Sequence, residues 1–403
     1  MPNASRGLEG VIANTTRLSD VIGGKAQLIY AGYDINELAG KVSYEEVVYL
    51  LWNNKLPTRA ELEKCAEQLR SQRELPSGVI DFIKSAPKSA NPMDVLRTGV
   101  SMLGLYDPDM EKEATPQMNK DRARSITAKI GVIAAYFHRA RCGEPLPPVR
   151  RDLSEAAHFL YLMTGKEPSK EASDTLDVAF VLHADHGMNA STFSARVTIS
   201  TLSDMYSAIT SAIGTLKGPL HGGANEGVIH MLQEIGDEKN VDTYIERQLA
   251  QKKKIMGIGH RVYKTLDPRA PHLRAMAIKL SEKIGEPKWI RMSERIAELM
   301  KKKKNLNANV DFYSATVYHS LGIPTDLFTP VFAIARCSGW CAHVLEQLED
   351  NRLYRPLSEY VGEPVGKKVV PRQTISGSKQ PVGTVQLRLS KLRQKCCCES
   401  TNR

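Results

Sequence analysis

Helix signals follow one another from about residue 43 onward, and they restrict the fold more than any other feature of the sequence. Two Ser/Thr and Glu pairs have the spacing of a capping box, Ser43 with Glu46 and Thr58 with Glu61. Apolar residues recur at helical intervals after Ser43, so two helices joined at Leu56-Pro57 are expected. Further helices are predicted over residues 121–142, 154–163, 169–183, 225–235, 271–284, 288–303 and 330–348.

Strand signals are confined to the N-terminal region. Residues 10–18 and 26–33 flank the turn Gly23-Gly24 and are expected to form a small hairpin. The predicted helix content far exceeds the usual one third of a globular protein. The sequence therefore predicts a mainly α-helical fold with a minor β element.

The formal charge of +10 does not indicate a nucleic-acid-binding protein, because the excess lies in one segment. Residues 364–403 contain nine basic residues and one acidic residue, whereas the rest of the chain is nearly balanced. We interpret the chain as a near-neutral globular body with a basic tail. No nucleic-acid partner is expected.

Membrane spanning, export and metal binding are not expected either. No apolar stretch reaches the roughly 18 residues that cross a bilayer, and residues 1–10 lack the apolar core of a signal peptide. The seven cysteines include no CxxC pair, which favours a reducing cytoplasm. His183 and His186 have a spacing that metal ligands can have, but nothing nearby completes a coordination sphere.

The segment GPLHGGANEG places His221 just before a predicted helix. The positive end of the helix dipole disfavours an imidazolium there, so a neutral histidine could donate a hydrogen bond to a developing oxyanion. A tight loop with a solvated histidine is the alternative, and on this motif alone the two are equally favoured.

The segment MGIGHRVYKTLDPRAP contains one GxG, formed by Gly257 and Gly259. It lacks the third glycine and the preceding strand of a dinucleotide site. Backbone amides near Arg261 would instead suit a phosphorylated ligand. His260, beside a glycine, and Arg269, between two prolines, are candidates for a carbonyl polariser and a carboxylate clamp.

Asp311 lies between Val310 and Phe312. Desolvation by these apolar neighbours would raise its pKa and make it a stronger base toward a carbon acid. The alternative is an N-cap for a helix that begins near Ser314, which is the more common use of such an aspartate.

Four segments carry a family resemblance: GPLHGGANE at 218–226, MGIGHRVYKTLDPRAP at 256–271, NVDFYSATVYHSLGIPTDLFTPVFAIAR at 309–336 and NRLYRP at 351–356. On the basis of these segments, the chain resembles the citrate synthase family in its shorter prokaryotic form. The resemblance extends over about residues 7–363. The resemblance implies a two-domain helical enzyme whose cleft closes on substrate. The implied large domain comprises residues 1–222 and 331–363, the small domain residues 223–330, and the basic tail residues 364–403.

The resemblance implies condensation of acetyl-CoA with oxaloacetate to citryl-CoA, then hydrolysis to citrate and CoA, without a metal or redox cofactor. Asp311 matches the base that removes a proton from the acetyl methyl group. His221 matches the group that hydrogen-bonds the thioester oxygen. His260 matches the group that polarises the ketone of oxaloacetate and protonates the new alkoxide.

Oxaloacetate is a dianion, and the resemblance implies that arginines bind it. Arg269, Arg336 and Arg355 match these arginines, with His186 and Asn189 as further substrate contacts. In the family, the arginine matched by Arg355 reaches the site of the neighbouring subunit, which implies a homodimer. The implied CoA contacts are Met256, Gly257, Gly259 and Arg261.

Two alternatives stay open. A 2-methylcitrate synthase, which uses propionyl-CoA, shares every catalytic residue, although NVDFYSA favours a citrate synthase. A non-enzymatic role of the tail, with Cys396, Cys397 and Cys398 beside basic residues, would bind a polyanion or a membrane surface. No aromatic residue follows Tyr360 to stack on bases, so a disordered or partner-wrapping extension is favoured for the tail.

Overall fold

The computed structural model describes residues 5–260, 262–363, 365, 366 and 368 of the 403-residue chain. The chain divides into two compact units, Ile12–Arg355 and a smaller one formed by Met1–Val11 with Pro356–Arg403. Arg261, Cys396 to Cys398 and most of the basic tail lie outside the described residues, and so do the predictions that concern them. The division into a large and a small domain stays a prediction.

The described part of the chain contains 16 α-helices and one small sheet, which confirms the mainly α-helical fold. Short 3₁₀ turns occur at Arg6–Leu8, Gly104–Tyr106, Glu238–Asn240 and Thr325–Leu327. The helices are α1 (Ile35–Leu38), α2 (Tyr44–Asn53), α3 (Arg59–Arg70), α4 (Ser77–Ser85), α5 (Pro92–Leu103), α6 (Pro116–Cys142), α7 (Glu155–Thr164), α8 (Lys170–His183), α9 (Ala190–Ser200), α10 (Met205–Leu216), α11 (Ala224–Ile235), α12 (Val241–Ala250), α13 (Ala270–Lys283), α14 (Lys288–Lys304), α15 (Val310–Ser320) and α16 (Phe328–Glu349).

Both predicted capping boxes form. The Ser43 hydroxyl accepts a hydrogen bond from the Glu46 N–H, and the Glu46 carboxylate accepts one from the Ser43 N–H at 2.7 Å. Thr58 and Glu61 make the same reciprocal pair at the start of α3. These bonds satisfy N–H groups that the first turn of a helix leaves unpaired. Every helix predicted from the sequence is present, with its ends shifted by a few residues.

The sequence patterns missed six helices: the single turn α1, and α4, α5, α9, α10 and α12. Serine, threonine and β-branched residues are frequent in α9 and α10, and their helix propensity is modest. The side chains of Asn189 and Asp204 cap these two helices, which pack against each other. Capping and tertiary packing therefore stabilise what local propensity does not.

The sheet consists of three antiparallel strands in sequence order, β1 (Ser19–Ile22), β2 (Gln27–Tyr30) and β3 (Tyr33–Asp34). Ile22 pairs with Gln27 across a turn at residues 23–26. The prediction that residues 10–18 form the first strand is therefore wrong. The side chain of Ile12 is 89% exposed and faces no core, whereas Leu28 of β2 is fully buried. Register follows the turn and the buried face, and both place the first strand later in the chain.

Helix α16 is the central helix of the Ile12–Arg355 unit. Its residues are buried on every face from Phe328 to Val344, and α2, α6, α8, α9 and α10 pack around it. The indole N–H of Trp340 donates to Ser191 Oγ at 3.1 Å, which connects this core helix to the first turn of α9. No helix of the described residues is long and apolar enough to span a bilayer.

We predict that Gly339→Ala lowers the free energy of unfolding by about 1–3 kcal/mol. A Cβ at Gly339 would overlap the carbonyl oxygen of Ala184 and press on Asp185 Oδ1, in the loop between α8 and α9. The matched control is Gly131→Ala in α6, whose Cβ would meet Ile334 and Phe159 at an ordinary 3.8 Å. The control should be neutral or stabilising by about 0.5–1 kcal/mol. Chemical denaturation measures both, and equal effects would contradict the close approach of α16 to this loop.

Candidate active site

Six of the candidate residues lie in one cluster. The rings of His186 and His260 are 5.4 Å apart between centroids. The charges of Arg269 and Arg336 act on both His186 and Asp311, and that of Arg336 also acts on the remaining histidine, His221. The six positions are the α8–α9 loop (His186), the α10–α11 loop (His221), the segment before α13 (His260 and Arg269), the first turn of α15 (Asp311) and the middle of α16 (Arg336).

The first turn of α9 sets the tautomer of His221. The backbone N–H of Ser191 donates to His221 Nε2 at 3.3 Å, and Ser191 Oγ lies 2.8 Å from the same nitrogen. Because a nitrogen that accepts from a backbone N–H carries no proton, the proton of the neutral ring is assigned to Nδ1. Burial and the positive charge of Arg336 lower the pKa of His221 to about 4. His221 is therefore a neutral hydrogen-bond donor at physiological pH, and the interpretation as a solvated loop histidine does not apply.

His260 has the opposite tautomer. Its Nδ1 accepts hydrogen bonds from the backbone N–H groups of Val262 at 3.0 Å and Tyr263 at 3.1 Å. The proton of the neutral ring therefore lies on Nε2. Burial lowers the pKa of His260 to about 4, and the positive charge of Arg269 acts in the same direction. The loop presents a neutral N–H donor that two backbone amides hold in place.

Tyr263 belongs to the cluster, although the sequence patterns did not indicate it. Its hydroxyl lies 3.2 Å from His186 Nε2, and its ring centroid is 4.6 Å from that of His260. Burial, followed by the charges of Arg269 and Arg336, lowers the pKa of His186 well below its usual value. The only signal in the sequence was an aromatic residue three positions after His260.

Asp311 is not the N-cap of its helix, so the capping alternative is wrong. Helix α15 begins at Val310, and the cap is Asn309, whose Oδ1 accepts the Asp311 N–H at 3.0 Å. No hydrogen bond to the Asp311 carboxylate occurs among the described residues. Burial raises the pKa of Asp311 to about 6, against the opposing charge of Arg269. The N-terminus of α15 would lower this pKa, and desolvation prevails.

Arg269 is buried with a carboxylate partner that sequence reasoning missed. Its Nε and Nη2 donate to the two oxygens of Asp267 at 2.9 and 2.8 Å. Asp267 Oδ2 also accepts the Val310 N–H at 3.1 Å, next to Asp311. Burial disfavours the charge of Arg269, and the negative charge of Asp267 nevertheless raises its pKa above the usual value. Asp267 therefore neutralises Arg269 and joins it to the start of α15.

Arg336 has no carboxylate partner of this kind within the part of the chain that the structure describes. Its residue is 1% exposed, its Nε donates to the carbonyl oxygen of His183 at 2.7 Å, and its guanidinium lies over the ring of Phe332. No described carboxylate forms an ion pair with it. Burial lowers the pKa of Arg336 to about 10, so the group stays charged at neutral pH. A buried cation without an anion is unfavourable, and this one is available to an anionic ligand.

The loop that contains His260 is bonded to the segment that precedes Asp311. The Gly259 N–H donates to Asn307 O at 2.8 Å, and the Asn309 N–H donates to Gly257 O at 2.9 Å. Both glycines have positive φ, 72° at Gly257 and 86° at Gly259, a region that favours glycine. The Gly259 amide is thus already bonded. Contact of Met256 and these two glycines with CoA stays a prediction.

Asn189 and Arg355, the other two predicted substrate contacts, form no direct hydrogen bond with the six clustered residues in the described part of the chain. Asn189 caps α9, because its Oδ1 accepts N–H groups from Ser191 and Thr192, and its Nδ2 donates to Thr192 Oγ1 at 3.0 Å. Its contact with a substrate stays a prediction. Arg355 is exposed at the end of the Ile12–Arg355 unit, and no bond among the described residues joins it to the cluster.

A mainly helical fold with neutral histidines, a carboxyl of raised pKa and buried arginines is typical of an enzyme that uses acid–base chemistry. The family described as citrate synthase, C-terminal domain, matches residues 7–357. The chain therefore belongs to the citrate synthase family, which comprises condensing enzymes of the acyltransferase type.

Relatives and solved structures agree with this assignment. Citrate synthase 2 of Bacillus subtilis is 50% identical, over 91% of this chain and 98% of its own. 2-Methylcitrate synthase 1 of Corynebacterium glutamicum is 41% identical, over 89% and 95%. The structure of a ternary complex of citrate synthase from Thermoplasma acidophilum with carboxymethyl coenzyme A and oxaloacetate has a TM-score of 0.87 and 34% identity, over 93% of this chain and 100% of its own.

We predict that Asp311→Asn raises the free energy of unfolding at pH 8 by up to about 3 kcal/mol, because burial raises the folded-state pKa from 3.8 to about 6. The folded state binds this proton more tightly than the unfolded state, so wild-type stability rises as pH falls from about 6 toward 4. The advantage of the variant should therefore be largest above pH 6 and fade toward pH 4.

Denaturation at several pH values measures this difference. The control is Asp81→Asn, which changes an exposed carboxylate of α4 and should have little effect. A gain that does not vary with pH would contradict the burial of an ionised Asp311.

Proposed function

We propose that this protein condenses acetyl-CoA with oxaloacetate and hydrolyses the resulting citryl-CoA to citrate and CoA. The observation that carries the proposal is the pair of neutral histidines with opposite tautomers beside a carboxylate of raised pKa, that of Asp311, which accepts no hydrogen bond from the described residues. Condensation of a thioester with a ketone needs one base and two hydrogen-bond donors to oxygen. Asp311, His221 and His260 supply these three groups.

The first step is removal of a proton from the acetyl methyl group by Asp311. A carboxylate is a weak base for a carbon acid, so the negative charge that develops on the thioester oxygen must be stabilised at the same time. His221 Nδ1–H donates to that oxygen, and Ser191 holds the ring through Nε2. Because His221 is neutral, it stabilises the enol or enolate as a hydrogen-bond donor.

Carbon–carbon bond formation follows at the ketone of oxaloacetate. The nucleophilic carbon of the enolate attacks the carbonyl carbon, the carbonyl π electrons move to oxygen, and His260 Nε2–H gives its proton to the alkoxide. Water returns a proton to the His260 ring, and the hydroxide that forms attacks the thioester carbon of citryl-CoA. The CoA thiolate leaves and takes up the proton that Asp311 had removed, and the new carboxyl group loses its proton to solvent. Citrate and CoA with a free thiol result.

Oxaloacetate binding is assigned to the cationic side of the cluster. Arg336 offers one carboxylate a buried guanidinium that forms no ion pair with a carboxylate of the described residues. The charge of Arg269 acts on the same two groups as that of Arg336, His186 and Asp311. Asp267 holds the Arg269 guanidinium by two hydrogen bonds. His186 and Asn189 are proposed as further polar contacts. Arginine suits this role because its planar donors match a carboxylate in two places.

The remaining assignments also rest on family membership. Met256, Gly257, Gly259 and Arg261 are proposed to meet CoA, and the reaction is proposed to need no metal or redox cofactor. A homodimer is proposed in which Arg355 completes the site of the other subunit, and the cytoplasm is proposed as the location.

Propionyl-CoA is the alternative acyl donor, because 2-methylcitrate synthases are among the relatives. The relatives of higher identity are described as citrate synthases, which supports acetyl-CoA. One methylene changes transition-state binding by only about 1–3 kcal/mol, so kinetics must decide.

We predict oxaloacetate-dependent thiol release with a higher kcat/KM for acetyl-CoA than for propionyl-CoA. Asp311→Asn should reduce kcat by about 10²–10⁴-fold and abolish proton exchange at the acetyl methyl group, because the base is lost. The exposed change Asp81→Asn should leave kcat unchanged. A propionyl preference would favour the alternative, and absence of thiol release with either donor would overturn the proposed function.

We predict that Arg355→Ala and Asp311→Asn, each nearly inactive alone, restore activity when both chains are mixed under conditions that exchange subunits. In a mixed dimer, one site combines an intact Asp311 with an intact Arg355 from the other chain. If Arg355 served its own subunit, both sites of the mixed dimer would lack one group. Thiol release that does not recover in verified mixed dimers would refute the shared site.

A further inference from the structure

The tip of the β1–β2 hairpin packs directly on the main chain that follows His260. A Cβ at Gly23 would overlap the carbonyl oxygen of Val262, and the Lys264 N–H lies 3.4 Å from Gly23 O. Only a residue without a side chain permits this approach. The neighbouring Gly24 has no atom within 4 Å of an equivalent Cβ. The two glycines therefore differ in what surrounds them, although they are adjacent in sequence.

The contact at Gly23 lies within one residue of the bonds that orient His260. The N–H of Val262 is one of the two donors to His260 Nδ1, and the carbonyl of the same residue is the group that Gly23 meets. Displacement of Val262 would move a donor that fixes the tautomer and the ring position. The hairpin tip thus supports the backbone that holds His260.

The other end of the hairpin holds the loop of His186. Ser19 Oγ donates to Asp185 Oδ2 and accepts the Gly187 N–H at 3.1 Å. The hydroxyl of Tyr30 accepts the Asp185 N–H at 3.1 Å and donates to Asp185 O at 2.8 Å. The residues on both sides of His186 are therefore bonded to strands β1 and β2.

Asp185 is anchored further by α16. His343 Nε2 lies 3.2 Å from Asp185 Oδ2, and the burial of all these groups makes their geometry costly to change. On its other ring nitrogen, His343 accepts from Arg196 at 3.0 Å. The hairpin base is consequently fixed to the core of the protein, and the tip projects from that fixed base to the loop of His260.

We propose that the β1–β2 hairpin is a brace that positions His186 and His260 relative to each other, with Gly23 and Tyr30 as positioning residues. Neither residue is assigned a contact with substrate. Gly23 acts through Val262 on His260, and Tyr30 acts through Asp185 on His186. The catalytic consequence rests on the proposed function, because these two histidines are assigned there to oxaloacetate.

The test compares Gly23→Ala with its neighbour Gly24→Ala. Neither glycine has the positive φ that alanine would avoid, so backbone conformation does not separate the two variants. Gly23→Ala should lower kcat/KM for oxaloacetate by about 10-fold or more, since small misplacements of a reacting group cost that much. The KM for acetyl-CoA should change less. Gly24→Ala should stay within about twofold of wild type.

Two spectroscopic measurements separate positioning from general destabilisation. Gly23→Ala should reduce the vibrational shift of the oxaloacetate carbonyl on binding, which reports polarisation by His260. It should also change the ¹⁵N resonances of the His260 ring, in the absence of any substrate. Gly24→Ala should change neither. Identical kinetics and spectra for the two variants would overturn the proposal.

Tyr30→Phe provides a second, independent variant. It removes only the hydroxyl that bonds to Asp185, so volume is retained and folding should survive. We expect a higher KM for oxaloacetate and altered ring resonances of His186. If Gly23→Ala fails to fold, unchanged values for Tyr30→Phe would overturn the brace. A wild-type protein without thiol release would refute the proposed function, while the ring resonances would still test the brace.

Discussion

Burial of the six clustered side chains at the candidate active site controls the protonation of almost every group among them. Burial lowers the pKa values of His221 and His260 to about 4 and raises that of Asp311 to about 6. At neutral pH the same desolvation thus leaves two neutral hydrogen-bond donors and one ionised carboxylate of increased basicity. A solvated site would have partly protonated histidines and a weaker base. The protonation states that the proposed chemistry needs therefore follow from where the fold places these side chains.

Fixed backbone donors then decide which nitrogen of each histidine is available. Ser191 in the first turn of α9 occupies Nε2 of His221, and the loop after His260 occupies Nδ1 of that ring. Backbone amides cannot rotate away as side chains can, so both tautomers are set before any ligand binds. Trp340 of the core helix α16 donates a hydrogen bond to Ser191, the same residue that contacts His221 Nε2. Individual hydrogen bonds in this way couple the packing of the core to the orientation of the His221 ring.

Local signals made part of this structure predictable from the sequence. The capping box of Ser43 and Glu46 depends on residues three positions apart, and the structure confirms this prediction. The first strand was misplaced because its register depends on the turn and on Ser19, which bonds to Asp185 far along the chain. In the candidate site, too, local patterns indicated some residues, while only the folded structure revealed others. His260 and Asp311 stood out in motifs, whereas Tyr263, Ser191 and Asp267 gain their roles from contacts that no local pattern contains.

The two buried arginines differ in a way that bears on how a dianion would bind. Asp267 neutralises Arg269, and Arg336 has no described anionic partner, so an ionised Asp311 leaves the four groups without net charge. Oxaloacetate would add two negative charges beside Asp311 and would raise the pKa of that carboxyl further. A higher pKa strengthens the base but reduces its ionised fraction, so additional positive charge is needed at the bound substrate. Arg355 from a second subunit would supply that charge only when the dimer is formed, which gives the proposed shared site an electrostatic reason.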